Sequence, residues 1–233
     1  MSDQLSRSRM LLGDEATNKI SSSSVAVFGL GGVGSWCVEA LARAGVSNLT
    51  FFDGDSVSIT NLNRQLIALH SSMDKPKTEV MKQRVLDINP EINVTCHSVF
   101  YTTENSGNYD LSSFDYIVDA IDMVTSKIEL IVRAKECSIP IISSMGTGNK
   151  LHASLFEIDD IYNTSVCPLA RVMRYELRKR GIKSLKVLYS KEQPLSLDCD
   201  SGQKPVPGSV SFVPPVAGML IAGEVLRNLA GIA

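Results

Sequence analysis

A chain of 233 residues, 44% hydrophobic and 21% charged, holds enough apolar material for one good core, and one domain with insertions is its simplest organisation. The formal net charge of −2 excludes wholesale electrostatic wrapping of nucleic acid but leaves room for a local basic patch. Five cysteines, at 37, 96, 137, 167 and 199, are odd in number and form no C-x-x-C pair, which speaks against a disulfide framework and against structural zinc.

Residues 1 to 24 read as a polar lead-in with a short helix around Met10 to Ile20, and without the apolar segment of a signal peptide a cytoplasmic protein is expected. Arg9, within it, reads as a solvated surface charge. The run from Val25 to Phe28 then breaks into glycines and opens an Ala-rich helical pattern ended by Gly45, giving strand, loop, helix. Gly29, Gly31 and Gly34 fit G-x-G-x-x-G, in which glycines permit a tight turn, close approach of a phosphate and close helix–strand packing. Backbone amides and the positive end of the next helix supply the anion site. The motif alone suits NAD, FAD, SAM or ATP equally.

A second strand ends at Asp53, 24 positions after Gly29 and close to the offset of about 20 at which an acid in such folds binds ribose hydroxyls. Arg64 and Lys77 follow, each a surface charge when taken singly. Lys75-Pro76-Lys77 opens a helix that Asn89-Pro90 stops. Strands are expected at Ile92 to Val99, Tyr116 to Ile121 and Ile139 to Ile142, with a helix over 124–136. Asp122 at the end of the middle strand is placed to hold a magnesium ion on phosphates. This alternation predicts a Rossmann-like, doubly wound α/β fold with a mostly parallel sheet, on which Gly29, Asp53 and Asp122 converge at one crevice.

Beyond residue 150 the pattern loosens. It predicts a strand at Leu151 to Ile158, a helix at Pro168 to Arg180, a strand at Lys186 to Tyr189, a loop at Leu195 to Gly208, and an apolar C-terminal helix too short and too interrupted by Pro214-Pro215 to span a membrane. The expected division is a nucleotide-binding core over 1–150 and an extension over 151–233 whose terminal helix packs on the core. Arg171, Arg174 and Arg178 share one helical face, with Lys179, Arg180, Lys183 and Lys186 beyond them, while Leu169, Met173 and Leu177 take another face. Such a helix can dock its apolar side and offer a basic stripe to RNA phosphates. Cys167 and Cys199 read as structural rather than nucleophilic, and His97 and His152, each inside an expected strand, as structural residues.

The ordered set Gly29-Leu30-Gly31-Gly32-Val33-Gly34, Asp53-x-Asp55, Asn61-x-x-Arg64-Gln65, Lys75-Pro76-Lys77 and Ala120-Ile121-Asp122 resembles the ubiquitin-activating and sulfur-carrier adenylyltransferase superfamily of ThiF/HesA type, over residues 9 to 150. The resemblance implies ATP held by Gly29, Gly31, Gly32 and Gly34, with Asp53 on the ribose and Asp55 and Asn61 lining the site. It further implies Arg64, Gln65 and Lys77 on the phosphates, magnesium at Asp122, and a homodimer in which Arg9 reaches the partner's phosphates. Sulfur-carrier activators commonly have two C-x-x-C pairs, which this chain lacks. Its second half instead resembles the tRNA threonylcarbamoyladenosine dehydratases, in Cys167-Pro168-Leu169-Ala170-Arg171, Lys186-Val187-Leu188-Tyr189-Ser190 and Gly208-Ser209-Val210-Ser211-Phe212-Val213-Pro214. That resemblance implies a tRNA substrate and ATP-driven dehydration through an adenylated carboxylate. The alternatives are an activator of a ubiquitin-like sulfur carrier, and a nucleotide-binding scaffold partnered within a sulfur-relay complex.

Overall fold

The computed structural model describes residues 4–196 and 207–232. In chain order the elements are α1 (Ser6–Ser22), β1 (Ser24–Phe28), α2 (Gly34–Arg43), β2 (Asn48–Phe52), α3 (Lys77–Ile88), β3 (Asn93–His97), β4 (Tyr116–Asp119), α4 (Val124–Glu136), β5 (Ile141–Ser144), β6 (Phe156–Asp160), α5 (Pro168–Lys179), β7 (Lys186–Ser190) and α6 (Val213–Ala230). The seven strands make one sheet in the order β3-β2-β1-β4-β5-β7-β6. All neighbours run parallel except β6, which is antiparallel to β7. The doubly wound α/β expectation therefore holds, and residues after 150 add two strands to the same sheet.

Both faces of that sheet are covered, which explains why Val25 to Phe28 is an unbroken apolar run rather than an alternating one. Successive side chains point to opposite faces. Val25 and Val27 enter a core shared with Val38 and Leu41 of α2, Met81 and Val85 of α3, and Ile221 and Val225 of α6. Ala26 and Phe28 enter the other core, with Leu130 and Ile131 of α4 and Met173 and Leu177 of α5. On α5 the buried face is Ala170, Met173 and Leu177, with Leu169 only partly covered.

Element ends depart from the sequence pattern for identifiable reasons. The strand expected to reach Ile121 stops at Asp119, whose Oδ1 accepts a hydrogen bond from the Ile121 amide (3.2 Å) and turns the chain out of the ladder. β5 starts at Ile141 rather than Ile139, because the Ile139 amide closes the end of α4 on the Ala134 carbonyl (2.9 Å) and Pro140 has no amide to give. β6 starts only at Phe156: the Leu151 and His152 amides both donate to the Glu192 carboxylate, at 2.8 and 2.9 Å. His152 accordingly lies outside any strand. α1 is longer than expected but is broken at Gly13, where φ is +81°. α6 carries its prolines in the first turn, where a missing amide is harmless, and among the described residues no helix is long and apolar enough to cross a membrane. The loop expected at Leu195 to Gly208 falls largely outside the described residues.

Candidate active site

β1 lies between β2 and β4, so the winding of the sheet reverses there, and in open α/β sheets ligands bind at the carboxyl ends beside such a reversal. The glycine loop leaves β1 at this point, and Ala120-Ile121-Asp122 leaves β4 next to it. The two segments are so close that a Cβ on Gly29, where φ is +90°, would lie 2.6 Å from the Ala120 carbonyl oxygen. A Cβ on Gly34 would lie 1.8 Å from the Gly29 carbonyl oxygen. Side chains are sterically impossible at both, and what the loop presents is backbone. α2 begins at Gly34 with no side-chain cap; the Ser35 and Cys37 amides are bonded back to the Gly31 and Val33 carbonyls (3.2 and 3.0 Å), so the positive end of the helix dipole is what its first turn offers an anion.

Asp53 locks the loop from the β2 side. It is 9% exposed; its Oδ2 accepts from the Leu30 amide (2.6 Å) and its Oδ1 from the Asp55 amide (2.8 Å). Burial pushes its pKa above the ordinary carboxylate value, with Lys77 and these two amides opposing the shift. Asp55 holds Lys77 at 2.7 Å, with the lysine side chain 5% exposed and the aspartate 52% exposed. Lys77 is thus no surface charge. It is the first residue of α3, where a cation opposes the helix dipole, so the pairing with Asp55 holds it there against local preference.

Buried Asn61 shapes the next segment: its Oδ1 accepts from the Ser58 amide (3.1 Å) and its carbonyl from the Arg64 and Gln65 amides (3.1 and 3.0 Å). That turn sends both side chains to the glycine loop. Arg64 Cγ is 3.3 Å from where a Gly32 Cβ would stand, and Gln65 Nε2 is 3.9 Å from the corresponding point on Gly31. The Arg64 guanidinium is steadied by the Thr60 carbonyl (2.9 Å) and Asn63 Oδ1 (3.0 Å). Gln65 Oε1 is buried and lacks a partner, alone in this among the described residues. An orphaned acceptor beside an amide-lined loop fits a ligand that carries both anionic and hydroxyl groups, as ATP does.

Among the described residues, two expected members are not held by side-chain bonds to the crevice residues. Asp122 is exposed on the loop after β4. Arg9 sits on α1 near Asp14 (3.6 Å) and Asn18 (3.4 Å), outside the crevice of its own chain. The basic stripe of α5 is divided as well. Arg174 donates to the Thr164 carbonyl (3.0 Å) and to its hydroxyl, Arg178 stacks over Tyr162 at 5.0 Å, and Arg180 pairs with Glu176 at 2.7 Å. Arg171 is exposed. Cys167 is buried at the start of α5, and Cys199 lies outside the described residues.

Sequence reasoning missed three supports. Trp36 Nε1 donates to the Arg64 carbonyl (3.1 Å), and the Ser35 hydroxyl bridges the Gly31 carbonyl (2.7 Å) to the Leu66 amide (3.2 Å). The third is a fully buried pair, Asp119 and Lys127, at 3.0 Å. The lone tryptophan directly after the glycine loop was the available signal for the first. A lysine in an ordinary helical pattern gives none for the last.

Among known proteins, the tRNA threonylcarbamoyladenosine dehydratase of Bacillus subtilis (strain 168) is 41% identical to this chain over 242 residues, covering 98% of this chain and 95% of that protein. The structure of the E. coli tRNA N6-threonylcarbamoyladenosine dehydratase in complex with ATP superposes with a TM-score of 0.90 at 30% identity, covering 98% of this chain and 94% of that one. The same enzyme in complex with AMP gives 0.89 at 30% identity over 97% and 93%. Residues 5–233 match the ThiF family, and the chain belongs to it.

Proposed function

We propose that this chain catalyses the ATP-driven dehydration of threonylcarbamoyladenosine in tRNA. The observation that carries the reading is the joining of a backbone-only anion loop to a buried lysine, Lys77, through Asp53 and Asp55, on a chain similar over nearly its whole length to such a dehydratase. A dinucleotide needs little cationic help, whereas attack at an α-phosphate builds charge on the phosphorane and on departing pyrophosphate. Arg64 and Lys77 supply it. The glycine loop and the N-terminus of α2 take the phosphates, Gln65 and Asn61 line the site, and Asp53 faces the ribose. A magnesium ion on the phosphates would be held by Asp122, a single carboxylate being sufficient when phosphates and waters complete the shell.

In the first step a carboxylate oxygen of the threonyl group attacks the α-phosphorus, the bond to the bridging oxygen breaks, and pyrophosphate leaves. The carbamoyl nitrogen then attacks the acyl carbon and loses its proton, AMP departs with the former carboxylate oxygen, and a ring closes. The nucleoside has lost one water. No enzyme thiol is required, in keeping with buried Cys167.

The working unit is a homodimer in the cytoplasm, with Arg9 of one protomer reaching the phosphates of its partner. Supporting this, Met10 and Leu11 beside Arg9 are 88% and 86% exposed, and α6, against which α1 packs, leaves Val216, Met219 and Leu220 uncovered. Incubating the chain with magnesium, ATP and modified tRNA and following the nucleoside mass tests the reading; loss of one water is expected, and an unchanged mass refutes it. Pyrophosphate exchange that depends on a carrier with a C-terminal Gly-Gly would instead indicate sulfur-carrier activation.

A further inference from the structure

Residues 208–214, which lead into α6, touch both halves of the chain. At their start Gly208 is pinned by Asn149: the Asn149 amide donates to the Gly208 carbonyl (2.8 Å), and Asn149 Oδ1 accepts from the Gly208 amide (2.6 Å). Asn149 is left-handed, with φ of +58°, a conformation that asparagine adopts more readily than most residues. At their end Pro214 packs on the glycine loop, its Cβ 3.0 Å from where a Gly32 Cβ would lie, beside the stem of Arg64.

Between these two anchors the Ser209 carbonyl accepts from Asn63 Nδ2 (2.9 Å), across 146 positions of sequence, and Asn63 Oδ1 accepts from Arg64 Nη1 (3.0 Å). Asn63 is exposed, so its side chain adds nothing to the core. Its amide has a direction. Turned over, it would set its NH2 group against the guanidinium and its oxygen against a carbonyl, so the Ser209 carbonyl selects the orientation in which Asn63 faces Arg64 with an acceptor. The same Nη1 also donates to the Thr60 carbonyl (2.9 Å), which belongs to the turn that carries Arg64 itself. A long, rotamer-rich side chain is thereby held by one local acceptor and one that a distant segment sets.

On the reading in which Arg64 meets the phosphates, which this assignment requires, we propose that Asn63 is a positioning residue for Arg64. It holds the guanidinium ready for the triphosphate, and its own amide is set by the segment that Asn149 pins. Residues after 150 thus take part in the nucleotide site through a backbone carbonyl, that of Ser209, rather than through a side chain.

The ATP affinity of the full-length chain, measured calorimetrically with magnesium, separates positioning from folding. Asn63→Ala weakens ATP binding about fivefold, the loss of one hydrogen bond to a charged group at an exposed site, while the urea midpoint stays at the wild-type value. In an Arg64→Ala background the same substitution has no further effect, because the group it positions is gone. Asn149→Gly keeps the left-handed backbone but loses Oδ1, and weakens ATP binding about twofold; Asn149→Asp keeps the acceptor and binds ATP as the wild type does. Wild-type affinity in Asn63→Ala, or an equal loss with and without Arg64, overturns the positioning role. Equal affinities of Asn149→Gly and Asn149→Asp overturn the part given to Asn149. An Arg64→Ala variant that binds ATP as tightly as the wild type overturns the reading of Arg64 itself, so the two failures are distinguishable.

Discussion

Two aspartate–lysine pairs flank the crevice, at the ends of the strands on either side of β1, and they differ in what water and ligands can reach. In the first, Asp119 and Lys127 are both fully buried at 3.0 Å. Ser143 donates to the same carboxylate oxygen (2.6 Å) and Lys127 also donates to the Ile121 carbonyl (2.9 Å). In the second, Asp55 and Lys77 are 2.7 Å apart, but the aspartate is half exposed. Replacing a buried pair with apolar groups is often neutral in stability, so the sealed pair is better understood as fixing the loop that carries Asp122. The open pair can exchange partners: a phosphate can take Lys77 while water solvates Asp55. One pair is closed to water and ligands; the other, on the proposed reading, supplies the cation that meets the phosphates.

Breaking the sealed pair gives the largest expected effect. Lys127→Met leaves Asp119 charged and buried without compensation, and costs about 3–5 kcal/mol in urea unfolding. Adding Asp119→Leu restores most of that stability while turnover stays low, since the loop beyond β4 loses its anchor. A single variant as stable as the wild type would remove the distinction between the pairs. The open pair is expected to behave in reverse. Lys77→Ala slows pyrophosphate release about 100-fold or more, in line with the loss of one charge-stabilising group. It lowers stability by less than Lys127→Met does, because the released Asp55 is already solvated and only Asp53 loses a charge that opposes its burial. A large stability loss with normal turnover would assign Lys77 to the fold instead.

How much of this was legible follows the same division. The glycine loop, Asp53, Asn61, Arg64 and Gln65 sit in short segments directly after strands, where motif spacing and strand ends coincide, and the structure gathers them. Asp119 and Lys127 were invisible because their meeting depends on a helix folding back over the end of its own strand, and neither residue type announces it. The strand was expected to run on to Ile121 for the same reason: apolar residues continue past the point where Asp119 captures the Ile121 amide. A 3 and 4 spacing fixes only a helical face, so it does not tell the arginines of the α5 stripe apart. What Thr164, Tyr162 and Glu176 bring to that face comes from other segments and from the helix itself. Sequence periodicity shows where charge lies; tertiary contacts decide which charge is still available.

A third ion-paired cluster gives a smaller effect with a pH signature. Glu39 of α2, 6% exposed, accepts from Arg84 of α3 (2.7 and 3.0 Å) and from Arg43 (2.8 Å). Burial alone would raise its pKa, but the two arginines outweigh it and bring it below the ordinary 4.5. A carboxyl depressed in the folded state stabilises the fold above its unfolded pKa and loses that contribution as pH falls through the folded one. Glu39→Gln is therefore expected to cost about 1–2 kcal/mol at pH 7, discounted for the exposed arginine heads. The gap from wild type should close progressively below pH 4.5 in urea midpoints; a constant gap would assign the cost to packing.

The smallest effect separates available from occupied charge on α5. This helix leads into a strand parallel to the central ones, so it starts at the carboxyl end of the sheet and finishes at the far end. Arg171, in its first turn, stands at the crevice end, and its guanidinium has no hydrogen bond or ion pair among the described residues. Arg174, one turn on, holds Thr164. If tRNA approaches along this helix, Arg171→Ala weakens tRNA binding a few-fold and flattens the log–log salt dependence by about one, the signature of one lost phosphate contact. Arg174→Ala instead leaves the salt slope unchanged and destabilises the turn before α5. Equal slopes for the wild type and Arg171→Ala would place the RNA elsewhere, because an exposed arginine at this end of the helix has no structural duty to mask its loss.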